Sequence, residues 1–224
     1  MEIKVVKQIL AWNEDCSAEI KALLKDNRIF MVNVMGSPGA GKTSLTIELA
    51  ARLAPAYRVG VIEGDVAGQI DAHRIAALGI PVVQLNTEGA CHIEAMSIKH
   101  ILPYFDLHQI DVMFVENIGN LVCPAEFNIG EDLRLALLSV PEGDDKVEKY
   151  PLMFSVADAL ILHKYDMLPH FAFDDKKVEA QAKAINPTAN VFRVSVPQDS
   201  GLTELAAWLS DQIAAKRAAK QPEC

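Results

Sequence analysis

The chain has 224 residues, half of them hydrophobic and 23% charged, a globular composition that excludes disordered, collagenous and disulfide-stapled secreted classes. Its 21 basic and 30 acidic residues leave a formal charge of −9, which argues against nucleic acid or an anionic membrane surface as the main partner. No stretch approaches the roughly 18 consecutive apolar residues of a membrane span. No basic segment followed by an apolar run opens the chain, so a cytoplasmic protein with its four cysteines as thiols is expected.

From about Trp12 to Lys25, the residues Ile20, Leu23 and Leu24 recur at helical spacing and predict an N-terminal helix outside the main core. The apolar run Ile29 to Val34 predicts a strand that ends at a glycine-rich turn, and Thr43 to Leu53 predicts the helix after it. Val59 to Ile62 is the next strand, followed by a helix over Asp71 to Leu78, a strand over Pro81 to Leu85 and a helix over Cys91 to Leu102. Val112 to Val115, Leu133 to Val140, Ala159 to Leu162 and Val191 to Val194 complete the predicted strands; Asp174 to Ile185 and Leu202 to Ala219 complete the helices. Strands that alternate with helices and are apolar on both faces imply an α/β fold of three layers around a mainly parallel sheet.

Gly36-Ser37-Pro38-Gly39-Ala40-Gly41-Lys42-Thr43 fills every required position of G-x-x-x-x-G-K-[ST], and it lies between a predicted strand and a predicted helix. In such a loop the glycines let successive backbone N–H groups face phosphate oxygens, and the helix N-terminus adds partial positive charge. Lys42 is expected to reach the β- and γ-phosphates and Thr43 to bind Mg²⁺, with Ser44 next in the nucleotide contacts. The division expected is a helical segment over 1–28, a P-loop nucleotide-hydrolase domain over 29–219 and a tail over 220–224.

Two carboxylates stand at the carboxyl ends of predicted strands, where open α/β sheets bind ligands. Asp65, in Glu63-Gly64-Asp65, can face Mg²⁺; Glu116, followed by Asn117-Ile118-Gly119, holds the Walker B position. The plain alternative for each is a solvated turn residue. Asp166 follows a strand in His163-Lys164-Tyr165-Asp166, and a carboxylate there can accept from the N1–H and 2-amino group of guanine, which adenine cannot offer. Lys164 can lie across the base. The element is similar to the guanine-reading [NT]-K-x-D of GTPases, except that His163 replaces Asn, and Ser195-Val196-Pro197 stands where GTPases often carry Ser-Ala-Lys.

Cys91 and His92 are adjacent at the start of a predicted helix, and six residues separate Glu116 from Cys123. Thiolate and imidazole suit Zn²⁺ or Ni²⁺, not Mg²⁺ or Ca²⁺. Adjacent residues rarely point at one ion, which leaves open whether Cys91 and His92 serve one metal or two. Three ligands leave a tetrahedral site incomplete, and a two-fold dimer would complete it. The plain alternative is two small buried thiols and a histidine near a helix start. Cys16 and Cys224 read as incidental thiols, and His73, His100, His108 and His170 as surface residues.

Taken together, Gly36 to Thr43, Glu63 to Asp65, Asp71 to Ile75, Gly89 to His92 and Glu116 to Pro124 resemble, in order and spacing, the nickel-incorporation GTPase of [NiFe]-hydrogenase maturation, the HypB family. The resemblance runs from about Ile29 to Leu209 and is most specific around Glu116 to Pro124 and the Cys-His pair. It implies a parallel-sheet P-loop fold, slow GTP hydrolysis, nucleotide-responsive dimerisation and Zn²⁺ or Ni²⁺ at the dimer interface. Carried over residue by residue, Cys91, His92 and Cys123 match the interface metal ligands, and Lys42, Thr43, Asp65 and Glu116 match the phosphate and Mg²⁺ positions. A nickel-delivery accessory protein and the large subunit of a nickel enzyme are the partners the resemblance implies. The His-rich or Cys-rich N-terminal nickel store of some members is absent from Met1 to Arg28.

For catalysis, Lys42 and Mg²⁺ are expected to stabilise charge and Asp71 to orient the attacking water, with Asp65 or a residue of the dimer partner as alternatives for the last role. A γ-phosphate that shifts Glu116 to Gly119 is expected to move Cys123 as well. Three other readings compete. A urease-type nickel-insertion GTPase would carry Cys-Pro-His, but Cys123-Pro124 is followed by Ala125; a small-molecule kinase would need an Arg-rich lid; a metal carrier with a degenerate nucleotide site is motivated by His163. The acidic segment Glu142 to Lys149 reads as a solvated loop.

Overall fold

The computed structural model describes residues 2–64, 70–86 and 89–218. Seven parallel strands form one sheet: β1 (Phe30–Gly36), β2 (Val59–Glu63), β3 (Val82–Gln84), β4 (Val112–Glu116), β5 (Leu133–Ser139), β6 (Ala159–His163) and β7 (Asn190–Arg193), in the order β3-β2-β4-β1-β5-β6-β7. The helices are α1 (Glu2–Asp26), α2 (Lys42–Leu53), α3 (Ile70–Ala76), α4 (Ala95–Ile101), α5 (Cys123–Glu126), α6 (Lys146–Lys149), α7 (Pro151–Ser155), α8 (Asp175–Ile185) and α9 (Leu202–Ala218). The α/β three-layer fold with a parallel sheet is therefore the one expected.

Strand β1 shows why. Phe30, Val32 and Val34 enter one core with Leu45 and Leu49 of α2 and Leu205 and Leu209 of α9, while Met31 enters the opposite core with Ile20, Leu24 and Ile98. Successive side chains on a strand face opposite ways, so a strand buried between two helical layers must be apolar on both faces, and Asn33, the polar residue of β1, is hydrogen-bonded. On α2 the buried positions Lys42, Leu45, Thr46, Leu49, Ala50 and Leu53 form one stripe at three- and four-residue spacing.

The structure corrects four expectations. α1 is not outside the main core: Cys16, Ile20 and Leu24 are buried with sheet residues Met31, Ile62 and Met113, so Cys16 is a core hydrophobe. α4 starts at Ala95, not Cys91. Glu94 is extended, and buried Asn13 of α1 accepts from the Ala95 N–H at 3.0 Å, supplying the cap that begins the helix there. Cys123 opens a helix that was not expected, with Pro124 in its first turn. The acidic segment Glu142 to Lys149 is not simply solvated: Val147 is buried, Asp145 pairs with Lys146 and Lys149, and Asp144 pairs with Lys177 of α8. No helix among the described residues is long and apolar enough to cross a membrane.

Candidate nucleotide and metal sites

Chain direction puts the carboxyl ends of β1, β2, β4 and β6 on one edge of the sheet, and both sites lie there. The loop from Gly36 leads into α2, which Gly41 begins at φ 101°. A side chain at Gly41 would be strained by that φ and would also collide with the His163 imidazole, 2.4 Å from an added Cβ. A cavity of about 590 Å³ opens over the loop, lined by Gly39, Lys42, Thr43, Ser44, Glu116 and Lys164 among others. Lys42 is buried, and its ammonium donates to the carbonyls of Gly36 at 3.3 Å and Ser37 at 3.1 Å. The Thr43 hydroxyl donates to Glu116 Oε1 at 2.8 Å. A hydroxyl and a carboxylate side by side are the hard oxygen donors that fit Mg²⁺. Arg74 of α3 also lines the cavity and was not anticipated as a site residue. The only available signal was its place in the segment after Asp71.

Asp65 lies outside the described residues, and of Asp71 only the backbone, in α3, is described. Neither is placed against the cavity.

The segment expected to read the base follows β6. Lys164 takes a left-handed φ of 52° and donates to the Gly39 carbonyl at 2.7 Å, which lays its stem along the phosphate loop. Asp166 Oδ1 accepts from the buried Ser195 hydroxyl at 2.6 Å, so Ser195 fixes the carboxylate and leaves its other oxygen for a ligand. Tyr165 donates to Asp175 at 3.0 Å, and Arg193 donates to Asp175 and Glu179 beneath it. His163, the departure from the usual motif, is buried, and its Nδ1 lies 2.9 Å from the Ala40 carbonyl. A carbonyl only accepts, so Nδ1 carries the proton and ties the end of β6 to the phosphate loop. Burial holds its pKa below the ordinary range.

Cys91, His92 and Cys123 converge. One ligand atom from each lies within 4.8 Å of the other two, which makes them a single cluster although two are neighbours in sequence. The sulfurs of Cys91 and Cys123 are 3.0 Å apart, and Cys91 Sγ is 3.5 Å from His92 Nδ1. Adjacent residues can meet at one point here because Cys91 and His92 lie in a bend before α4, not on a helix. The His92 ring stacks on Phe127 with centroids 3.9 Å apart. Burial lowers its pKa, against the opposing pull of Glu94 and Glu126, which favours the neutral imidazole that binds metal. The hydrogen bond from Cys91 is the largest of the effects that raise the Cys123 thiol. Two sulfurs and an imidazole suit Zn²⁺ or Ni²⁺ and leave a fourth position open. His73, His100, His108 and His170 are exposed.

Comparison with known proteins converges on one family. The family profile described as "CobW/HypB/UreG, nucleotide-binding domain" matches residues 30–193. The hydrogenase maturation factor HypB of Azotobacter vinelandii is 44% identical over 213 residues, covering 94% of this chain and 69% of that protein. A crystal structure of HypB from Helicobacter pylori in complex with nickel is 35% identical with a TM-score of 0.85, covering 92% of this chain and 96% of that one. The crystal structure of HypB from Archaeoglobus fulgidus is 34% identical with a TM-score of 0.86, covering 91% and 100%.

Proposed function

The chain belongs to the HypB family of CobW/HypB/UreG nucleotide-binding domains, and from that premise we propose that it is a GTP-hydrolysing metallochaperone that assists nickel insertion into [NiFe]-hydrogenase. One observation carries the reading. The Walker B carboxylate of Glu116, bonded to Thr43 of the phosphate loop, is joined by six residues to Cys123, which meets Cys91 and His92 in one soft-metal cluster. A nucleotide hydrolase with no metal cargo has no need of two thiols and an imidazole at that place.

Hydrolysis of a γ-phosphate needs positioning and charge stabilisation more than covalent chemistry. Lys42 supplies a cation for the β- and γ-phosphates, and the phosphate loop supplies backbone N–H groups. Thr43, Glu116 and Asp65 are the residues that would hold Mg²⁺, which would supply charge neutralisation at the phosphates when bound. Asp71 orients the attacking water, and Lys164 and Asp166, the latter set by Ser195, read guanine. Cys91, His92 and Cys123 bind Ni²⁺ or Zn²⁺ through soft donors, and their three ligands are completed when two copies meet in a nucleotide-dependent homodimer. A nickel-delivery accessory protein and the hydrogenase large subunit are the cytoplasmic partners this role requires.

Lys42→Ala tests the enzymatic part: GTP turnover should fall by at least about 100-fold, since a preorganised cation is lost from the transition state. Unchanged turnover would leave a metal carrier in which the nucleotide site is idle. Asp71→Ala with normal turnover would remove Asp71 from the water-orienting role.

A further inference from the structure

We propose that Asn117 is the positioning residue that links the nucleotide-facing loop after β4 to the metal-binding loop before α4, so that nucleotide state sets metal affinity through its carboxamide. The proposal rests on the metallochaperone reading and adds the element that couples its two sites.

Asn117 is fully buried and follows Glu116 directly. Its backbone N–H donates to Val34 O at 2.9 Å, which anchors it near the carboxyl end of β1, just before the phosphate loop. The side-chain oxygen accepts twice, from its neighbour Ile118 N–H at 2.9 Å and from Ile93 N–H at 3.1 Å. The first bond holds the loop that lines the nucleotide cavity, and the second holds the residue beside His92. The side-chain NH₂ donates to Asn33 Oδ1 at 3.1 Å, in the middle of β1, which leaves the carboxamide one orientation. With both groups of the amide engaged in a dry interior, a shift at one bond cannot be absorbed by water.

Both ends of this link have a reason to move together. Gly119 packs so closely on Pro38 that an added Cβ would lie 2.8 Å from its ring and backbone. A change in the phosphate loop therefore displaces Gly119 and Ile118. Further along the same segment, Asn120 N–H donates to Gly36 O at 3.1 Å, and Cys123 follows within three residues. On the other side, Ile93 is wholly buried and Ala95 N–H is held by Asn13, so movement of Ile93 N–H is taken up at His92 and Cys91 in the bend that precedes them. Cys123 thus responds through the chain, and Cys91 and His92 respond through Asn117. The two halves of the metal cluster are coupled to nucleotide by separate routes.

The test compares Ni²⁺ dissociation constants of the full chain with Mg·GDP and with a non-hydrolysable Mg·GTP analogue. Wild type is expected to show a ratio between the two states of about fivefold or more. Asn117→Ala removes both accepted bonds and should bring the ratio close to one while the protein still binds metal. Asn33→Ala, in the same buried cluster, leaves both accepted bonds of Asn117 in place and should retain most of the ratio, an outcome that a packing role alone does not predict. A coupled wild type with an equally coupled Asn117→Ala overturns the role of Asn117 and leaves the metallochaperone reading standing. A wild type that binds Ni²⁺ equally in both states overturns the coupling itself. Amide hydrogen exchange in wild type guards against a variant that does not fold. Protection at Ile93 N–H should differ between the two nucleotide states by about tenfold, and identical protection contradicts the proposal.

Discussion

His163 occupies a place where the related GTPase element carries asparagine, and it does so by giving its Nδ1 proton to the Ala40 carbonyl across the Gly41 turn. Its buried ring resists protonation. In acid the unfolded chain takes the proton first, below about pH 6.5, so this residue's contribution to stability is present above that pH and is lost as pH falls toward the lower folded-state value. His163→Asn should therefore flatten the loss of stability between neutral pH and pH 5. Urea midpoints across that range check it, and parallel slopes for wild type and variant would contradict it. Asp166→Asn replaces an acceptor by an amide whose donors face those of guanine; GDP affinity should fall by about 100-fold or more, measured by calorimetry with xanthosine diphosphate as the complementary ligand. Lys42, Thr43 and Lys164 were expected from spacing within short local motifs, and all three line the cavity. Asn117, Asn33 and Asn13 were not legible in the sequence. A buried asparagine acquires meaning only from its partner, and these partners lie 84 and 82 residues away in the chain.

Among the elements, the strands were the easiest to anticipate, since a short run apolar on both faces has few destinations other than a sheet covered on both sides. α1 was misjudged for a related reason. Its sequence shows an amphipathic stripe, but a stripe does not say which surface it covers. The structure lays Ile20 and Leu24 against Met31 and Ile98, and Asn13 caps α4. Ile20 is 1% exposed, and Ile20→Ala should cost about 2–5 kcal/mol of unfolding free energy, read from urea denaturation. A cost within about 0.5 kcal/mol, the range of ordinary surface substitutions, would restore the picture of a helix outside the core. The short helices α5, α6 and α7 span four or five residues and are too brief to show a period, although Pro124 and Pro151 in their first turns are recognisable start signals. The helix start at Ala95 was hidden because its cap comes from α1.

Over the whole molecule, one sheet edge carries both a hard-donor nucleotide site and a soft-donor metal cluster, with β4 and the residues after it running between them. The sequence placed Cys91, His92 and Cys123 as candidates through resemblance and ligand chemistry. That adjacent residues share one cluster depended on the bend before α4, which the predicted helix had concealed. On the proposed function, metal binding, nucleotide state and self-association form one linked equilibrium, since three ligands from one copy leave room for a donor from another. The most direct test is a Ni²⁺ titration of metal-free protein, with bound metal and molecular mass followed together in Mg·GDP and in a non-hydrolysable Mg·GTP analogue, and with Cys123→Ala alongside. Stoichiometric binding that depends on Cys123 and changes with nucleotide or with dimerisation is the predicted result. Weak binding, equal in wild type and Cys123→Ala and indifferent to nucleotide, would contradict the metal-insertion role and leave a P-loop nucleotide hydrolase with no metal cargo.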